Sequence, residues 1–143
     1  MGLDINIYRV KRTELSKEAQ DDYSGVAAMN EIRNSEEIYG DSLAYFRKAN
    51  FLFSYFENDM NDELTMAVLD KYAVEDIIEL CKEVLNVHTK AEELLPTTDG
   101  FFFGSIEYDD LYFEKVQDVL NQFEEVLKEY NSDRYFYYID FWY

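Results

Sequence analysis

Residues 134–143 read RYFYYIDFWY, and this stretch decides the fold because it predicts a strand that is covered on both faces. Seven of the nine positions 135–143 are aromatic, and aromatic side chains favour strands. Apolar residues stand at both odd and even positions, which is typical of a strand whose two faces are both buried. The rest of the chain must therefore supply partner strands and covering helices.

Two further segments have the composition of strands. Residues 3–10, LDINIYRV, place Leu3, Ile5 and Ile7 in alternation with more polar residues, the period of a half-buried strand. Residues 64–68, LTMAV, form a short run that favours strand. Together they predict a small, mostly antiparallel sheet of about three strands that includes both ends of the chain.

Helical periodicity is clearest in two long segments. Apolar residues recur at i, i+3, i+4 and i+7 over residues 73–94, before Pro96, and over residues 110–130, where Asp109 and Asp110 suit the N-terminus of a helix. Ser42 is a candidate N-cap for a third helix over residues 43–57, and a short helix is predicted near residues 14–20. Residues 96–105 are predicted to form an aromatic loop or a short hairpin, and residues 21–40 receive no assignment.

Two or three one-sided helices need a flat surface to cover, so the sequence predicts a two-layer α+β domain that spans residues 1–143. A mainly α bundle with its termini paired as a ribbon is the alternative. The length of 143 residues and the 48% hydrophobic content suit one core.

Composition excludes several classes of protein. The 31 acidic and 13 basic residues give a net charge of -18, so direct binding of a nucleic-acid backbone is not expected. The single Cys81 excludes a disulfide scaffold. The sequence contains no long apolar run and no secretory signal pattern, so we expect no membrane association and a cytoplasmic location.

No catalytic, cofactor or metal site is predicted with the residues available. Cys81 and His88 lie seven positions apart on one predicted helix, about 10.5 Å along its axis, which is too far for a catalytic dyad. They are expected to be a core residue and a partly buried helix residue. One alternative is a metal-dependent hydrolase, in which Asp99, Asp109 and Asp110, close to Glu107 in the sequence, would hold a divalent cation.

The acidic residues are concentrated in the last two thirds of the chain. Residues 49–96 and 97–143 each hold 11 acidic and 3 basic residues, so they carry 16 of the 18 excess negative charges. Such a surface is either a solvated face or a site that captures a basic partner protein. The candidate partner-binding residues lie on the two long helices: Glu75, Glu79, Glu83, Asp118, Glu124 and Glu125.

A second reading rests on basic and aromatic residues. Arg47 and Lys48 stand in an otherwise acidic region, where they either form salt bridges or line a small-ligand or nucleotide pocket beside Phe101–Phe103. The aromatic loop and the aromatic tail are expected to be mostly core, with some side chains exposed as interface anchors. A homodimer through the tail is a further possibility.

Three blocks of the sequence carry a resemblance: MGLD at the start, RKAN at 47–50 and LPTTDGFFFGSIEYDD at 95–110. In these blocks the chain resembles an uncharacterised family of small proteins of bacteriophages, prophages and their hosts. Members of that family have a Trp before the RKAN-like motif, where this chain has Phe46. The matching motif residues are Asp4, Arg47, Lys48, Asn50, Pro96, Gly100, Phe103 and Gly104.

The resemblance implies a biological context rather than an activity. Small acidic phage proteins often bind and block a host protein, as anti-restriction and anti-CRISPR proteins do, and several mimic the charge of DNA. The resemblance therefore favours a phage accessory protein that inhibits or redirects a basic host protein. The motif residues are either functional or the folding signature of the family, since Gly100 and Gly104 also suit turns.

Overall fold

The computed structural model of the protein describes residues 2–61 and 63–143 and contains one antiparallel sheet. Its strands are β1 (Asp4–Lys11), β2 (Asp41–Arg47), β3 (Met66–Val68) and β4 (Tyr135–Trp142). They pair in the order β2-β1-β4-β3, so the first and last strands of the chain lie side by side at the centre.

Six α-helices occur in the described residues. They are α1 (Lys17–Asp21), α2 (Val26–Asn34), α3 (Asn50–Phe56), α4 (Lys71–Asn86), α5 (Ala91–Leu94) and α6 (Asp110–Lys128). The two long ones begin at side-chain caps: Asp70 accepts a hydrogen bond from the Ala73 N–H at 2.8 Å, and Asp109 accepts one from the Tyr112 N–H at 3.0 Å. Short 3-10 turns occupy Arg12–Glu14, Glu57–Asp59 and His88–Lys90.

The central strand β4 is buried on both faces, which confirms the prediction from its aromatic pattern. Tyr137, Ile139 and Phe141 belong to the larger core, which α4 and α6 cover. Phe136 and Tyr138 point to the other side and join a smaller core with α1 and α2. The predicted layer of long helices on a sheet is therefore present, and α1 and α2 add a partial third layer.

The α+β class with strands at both termini is confirmed, and the mainly α alternative is not adopted. The sheet has four strands rather than the predicted number of about three. The additional strand is β2, whose residues were predicted to be part of a helix. The helix predicted over 43–57 is wrong in its first half: residues 41–47 pair with β1, and only Asn50–Phe56 is helical. Ala44 and Phe46 face the core while Tyr45 and Arg47 are exposed, so this short run satisfies the strand period as well as the helical one.

The boundaries of the other predicted helices and strands are closer to those observed. The strand predicted at 64–68 is found at Met66–Val68, and the predicted short helix near 14–20 is α1. The helix predicted over 73–94 is shorter, since α4 ends at Asn86 and a 3-10 turn separates it from α5. The loop reading of residues 96–105 is confirmed, and the unassigned region contains α2. Among the described residues, none of the helices has the length and apolarity that a bilayer span requires.

Candidate functional site

The outer faces of α4 and α6 form an open groove of about 340 Å³, which we call the acidic groove. Glu75 and Glu79 line it from α4, and Glu124 lines it from α6. Ile78 is buried and Leu127 is half-buried, so the bottom of the groove is apolar. Lys82 and Lys128 complete its lining. The structure thus brings together three of the six acidic residues that were predicted to bind a partner.

The helical period explains this arrangement. Val74, Ile77, Ile78 and Cys81 are buried in α4 at helical spacing, so the carboxylates between them are directed to solvent. Because α4 and α6 pack side by side, the outward carboxylates of the two helices come to lie along the same groove.

The three other predicted acids, Glu83, Asp118 and Glu125, lie outside the groove and have partners, as Glu79 does within it. Asp118 accepts hydrogen bonds from the Gln122 side-chain amide at 3.1 Å. The exposed salt bridges of this region are Glu79–Lys82 at 3.7 Å, Glu83–Lys90 at 2.8 Å and Glu125–Lys128 at 2.8 Å. Exposed pairs of this kind contribute little to the free energy of unfolding, and either charge can readily pair with another group instead. Glu75 and Glu124 form no salt bridge with any residue that the structure describes.

The three motif blocks of the sequence converge at one end of the sheet. The Lys48 N–H donates to the Leu3 carbonyl at 2.7 Å, and Asp4 is paired with Arg47 across β1 and β2. The Asp4 carboxylate also accepts a hydrogen bond from the Tyr45 hydroxyl. The sequence could not place these blocks together, because more than 40 residues separate Asp4 from Arg47.

Asn50 connects the second block to the third. It is 2% exposed, and its amide donates to the carbonyls of Phe103 at 3.2 Å and Ser105 at 3.1 Å. These hydrogen bonds satisfy the buried Phe103 carbonyl and the partly buried Ser105 carbonyl. Asn50 acts as a structural anchor of the loop that follows α5.

The loop itself divides its three phenylalanines between core and solvent. Phe103 is buried, whereas Phe101 is 85% exposed and Phe102 is 48% exposed. A Cβ on Gly100 would lie 2.7 Å from the Phe103 ring, so only glycine fits there without displacement of the ring. Gly104 has a φ of +92° and packs against the Lys48 side chain, and Pro96 is exposed just after α5.

The hollow beside Lys48 is small, with a volume of about 10 Å³. Lys48 and Lys115 line it together with Glu107 and Asp109, so its charges are mixed. Burial and the neighbouring Lys48 charge lower the pKa of Lys115, while Asp109 raises it. The structure therefore offers little support for the pocket of the small-ligand alternative.

Cys81 and His88 lie in different surroundings, as expected for residues that do not act together. Cys81 is in the core, and burial raises the pKa of its thiol to about 12. His88 is exposed in the turn after α4, where its ring stacks on Phe113 with centroids 3.7 Å apart. The prediction of a partly buried histidine within the helix was wrong, because α4 ends two residues earlier.

The metal-hydrolase alternative has no cluster to support it. Over residues 2–61 and 63–143, no three His, Cys, Asp or Glu side chains gather closely enough to hold a metal ion. Asp109 is instead the N-cap of α6, and Asp110 is the first residue of that helix.

Three features were missed at the level of sequence. No local sequence pattern indicates Lys115 or the apolar bottom of the acidic groove, because the residues around them come from other elements. A cleft of about 500 Å³ also opens near Arg12, Tyr23, Lys71 and Asp70, and its mixed charges select no class of ligand.

The chain matches no protein-family model, no curated protein and no solved structure.

Proposed function

We infer that the protein is an acidic binding module that engages a basic surface of another protein through the acidic groove. Together with the resemblance to phage and prophage proteins, this favours an accessory protein in the cytoplasm of a bacterial host. There it would inhibit or redirect a basic host protein, in the manner of an anti-CRISPR protein or a DNA mimic.

The observation that supports this proposal is the composition of the groove. Glu75, Glu79 and Glu124 lie around an apolar bottom formed by Ile78 and Leu127, and they outnumber by one the two lysines that complete the lining. This combination fits an arginine or lysine side chain, whose aliphatic stem packs on apolar atoms while its charged end reaches carboxylates. An isolated charge patch would attract cations without giving the stem a place to pack.

The charge of the whole molecule favours the same class of partner. A net charge of -18 on 143 residues produces a field that accelerates encounter with a basic protein and repels acidic ones. The groove would then select among basic partners by shape.

Two triple variants that remove the same number of negative charges distinguish the contribution of the groove from that of the net charge. E75Q/E79Q/E124Q removes the three carboxylates that line the groove, and E14Q/E36Q/E37Q removes three exposed carboxylates around α1 and α2. Each variant is used as bait in a lysate of the bacterial host at low and at high salt, and captured proteins are quantified.

We expect the wild type and the control variant to capture the same basic protein at low salt, and the groove variant to lose it. High salt should weaken capture by all three, since screening acts on exposed charges. Equal loss in both triple variants would contradict a specific role for the groove, and undiminished capture by the groove variant would exclude it.

A further inference from the structure

The face of the sheet that lies away from α4 and α6 is only half covered. Its covered half is the smaller core with α1 and α2, to which Phe136 and Tyr138 contribute. The alternation of side chains along β4 places Asp140 and Trp142 on the same face, outside that core. Trp142, the single tryptophan of the chain, is 72% exposed there. We call the surface formed by Asn6, Asp140 and Trp142 the open sheet face.

The carboxylate of Asp140 carries a charge that the rest of the chain leaves uncompensated. Asp140 is half-buried between its register partners, Asn6 of β1 and Met66 of β3. Burial raises its pKa and a hydrogen bond from the Phe141 main chain partly offsets this, while no neighbouring cation contributes. Over residues 2–61 and 63–143 Asp140 forms no salt bridge. A partly buried carboxylate without a partner destabilises the fold, and such groups are typical of functional sites.

The other two charged strand residues on this face compensate each other. Asp4 lies opposite Arg47 in the register of β1 and β2, and its carboxylate accepts a hydrogen bond from the Tyr45 hydroxyl. Arg47 belongs to β2, which β1 separates from β4, so its main chain lies about 10 Å from β4. Asp140 therefore leaves the strands of this face with an excess negative charge, which has the same sign as the net charge of -18. Both charges favour a cation as the bound group.

Aromatic side chains lie on both sides of Asp140. Tyr138 and Trp142 are two residues away on β4, about 7 Å along the strand in each direction. Burial and the negative charge of Asp140 raise the pKa of Tyr8 and of Tyr138, so both hydroxyls are within electrostatic range of the carboxylate. A guanidinium can stack on an exposed indole ring and donate hydrogen bonds to a nearby carboxylate at the same time. The spacing of Asp140 and Trp142 suits such a group.

We propose that the open sheet face binds an arginine side chain of a partner protein, whose guanidinium stacks on Trp142 and donates to the Asp140 carboxylate. The planar guanidinium fits this pair better than the ammonium group of lysine does. The net charge of -18 attracts a basic segment and disfavours a second copy of the chain. This site is distinct from the acidic groove, because α4 and α6 cover the opposite face of the sheet. Either site can therefore fail in a test without the other.

The test uses Trp142 as a reporter of its own site, since the chain has no other tryptophan. The probe is a short glycine–arginine peptide with two arginines and blocked ends. One control peptide carries citrulline, a neutral side chain of nearly the same shape, and another carries lysine. Each peptide is titrated at low salt into the wild type, D140N, W142A and the charge control D21N. Tryptophan fluorescence and the main-chain amide signals in two-dimensional NMR spectra are followed, the latter also in W142A.

We expect the arginine peptide to change the fluorescence of Trp142 and to shift the amide signals of Asn6 and Asp140. It should bind about tenfold more tightly than the citrulline peptide and about threefold more tightly than the lysine peptide. D140N should weaken binding about tenfold and W142A about fivefold, while D21N changes it by less than about twofold. D140N is expected to raise the melting temperature, so its loss of binding would not reflect unfolding.

Other results overturn the proposal. Amide shifts confined to Glu75, Glu79 and Glu124 would support the acidic groove and exclude the open sheet face. Equal affinities of the arginine and citrulline peptides at the open sheet face, or of D140N and the wild type, would show that no guanidinium is recognised there. Spermidine that binds at this face more tightly than the arginine peptide would assign the site to a free polyamine instead of a partner protein.

Discussion

The side chain of Gln122 takes the place of a neighbouring strand for Tyr45. Its Oε1 accepts a hydrogen bond from the Tyr45 N–H at 3.3 Å, and its Nε2 donates to the Tyr45 carbonyl at 3.1 Å. Tyr45 lies on β2, one of the two edge strands of the sheet, whose outer main-chain groups would otherwise be open to another chain. This contact ties α6 to the sheet and covers part of its edge.

Gln122→Ala is expected to lower the free energy of unfolding by about 1 kcal/mol, because it removes the two hydrogen bonds to Tyr45 in addition to the exposed contact with Asp118. The control is Gln117→Ala on the same helix, whose amide bonds only the exposed Asn121. Urea unfolding of both variants measures the difference. Equal stability of the two would show that the contact with Tyr45 has no energetic role.

Asn50→Ala is expected to cost about 1–3 kcal/mol, because the buried Phe103 carbonyl and the partly buried Ser105 carbonyl would lose their donor. Asn58→Ala, at an exposed position, should stay within about 0.5 kcal/mol of the wild type. Chemical denaturation measures both variants. An Asn50→Ala variant as stable as Asn58→Ala would contradict the anchoring role of Asn50.

Asp140→Asn is expected to raise the melting temperature at neutral pH. The Asp140 carboxylate is half-buried on β4 beside Asn6 and Met66, and this burial raises its pKa, with a partial offset from a main-chain hydrogen bond. A carboxyl with a raised pKa in the folded state destabilises the fold at pH values above that pKa.

The gain from Asp140→Asn should therefore shrink as the pH falls through the raised pKa and should vanish below the ordinary value of 3.8, where Asp140 is protonated in both states. Melting temperatures between pH 3 and pH 8 measure this trend, and Asp21→Asn, at an exposed position, is the control. A gain that is independent of pH, or a loss at neutral pH, would refute the explanation.

The Cys81 thiol is expected to react with a thiol reagent only when the protein unfolds. It is buried, and burial raises its pKa to about 12, so thiolate is scarce in the folded state. A Ser132→Cys variant supplies an exposed thiol for comparison. The rate at Cys81 should rise with urea in parallel with unfolding, and a rate in native buffer equal to that of the added thiol would disprove its burial.

Periodicity predicted those elements in which one period is unambiguous. The stripe of α6 and the two-faced pattern of β4 extend over many residues, so the class and both terminal strands could be predicted. β2 could not, because Ala44 and Phe46 satisfy two periods and only pairing with β1 selects the strand. The end of α4 at Asn86 likewise has no local signal such as glycine or proline.

The candidate sites were predictable by residue type but not by arrangement. The outward positions of Glu75 and Glu79 follow from the helical period, whereas their meeting with Glu124 depends on how α4 packs on α6. The motif blocks were visible as separate stretches, but the hydrogen bonds of Asn50 join residues more than 50 positions apart. Such long-range contacts leave no trace in the local composition.

The proposed function is tested most directly by the association rate of the purified basic partner with the wild type, E75Q/E79Q/E124Q and E14Q/E36Q/E37Q at several salt concentrations. We predict that salt slows association of the wild type steeply and that only the groove variant also dissociates markedly faster, because it alone loses close contacts. Association that is insensitive to salt, or equal dissociation rates for the two triple variants, would contradict binding through the acidic groove.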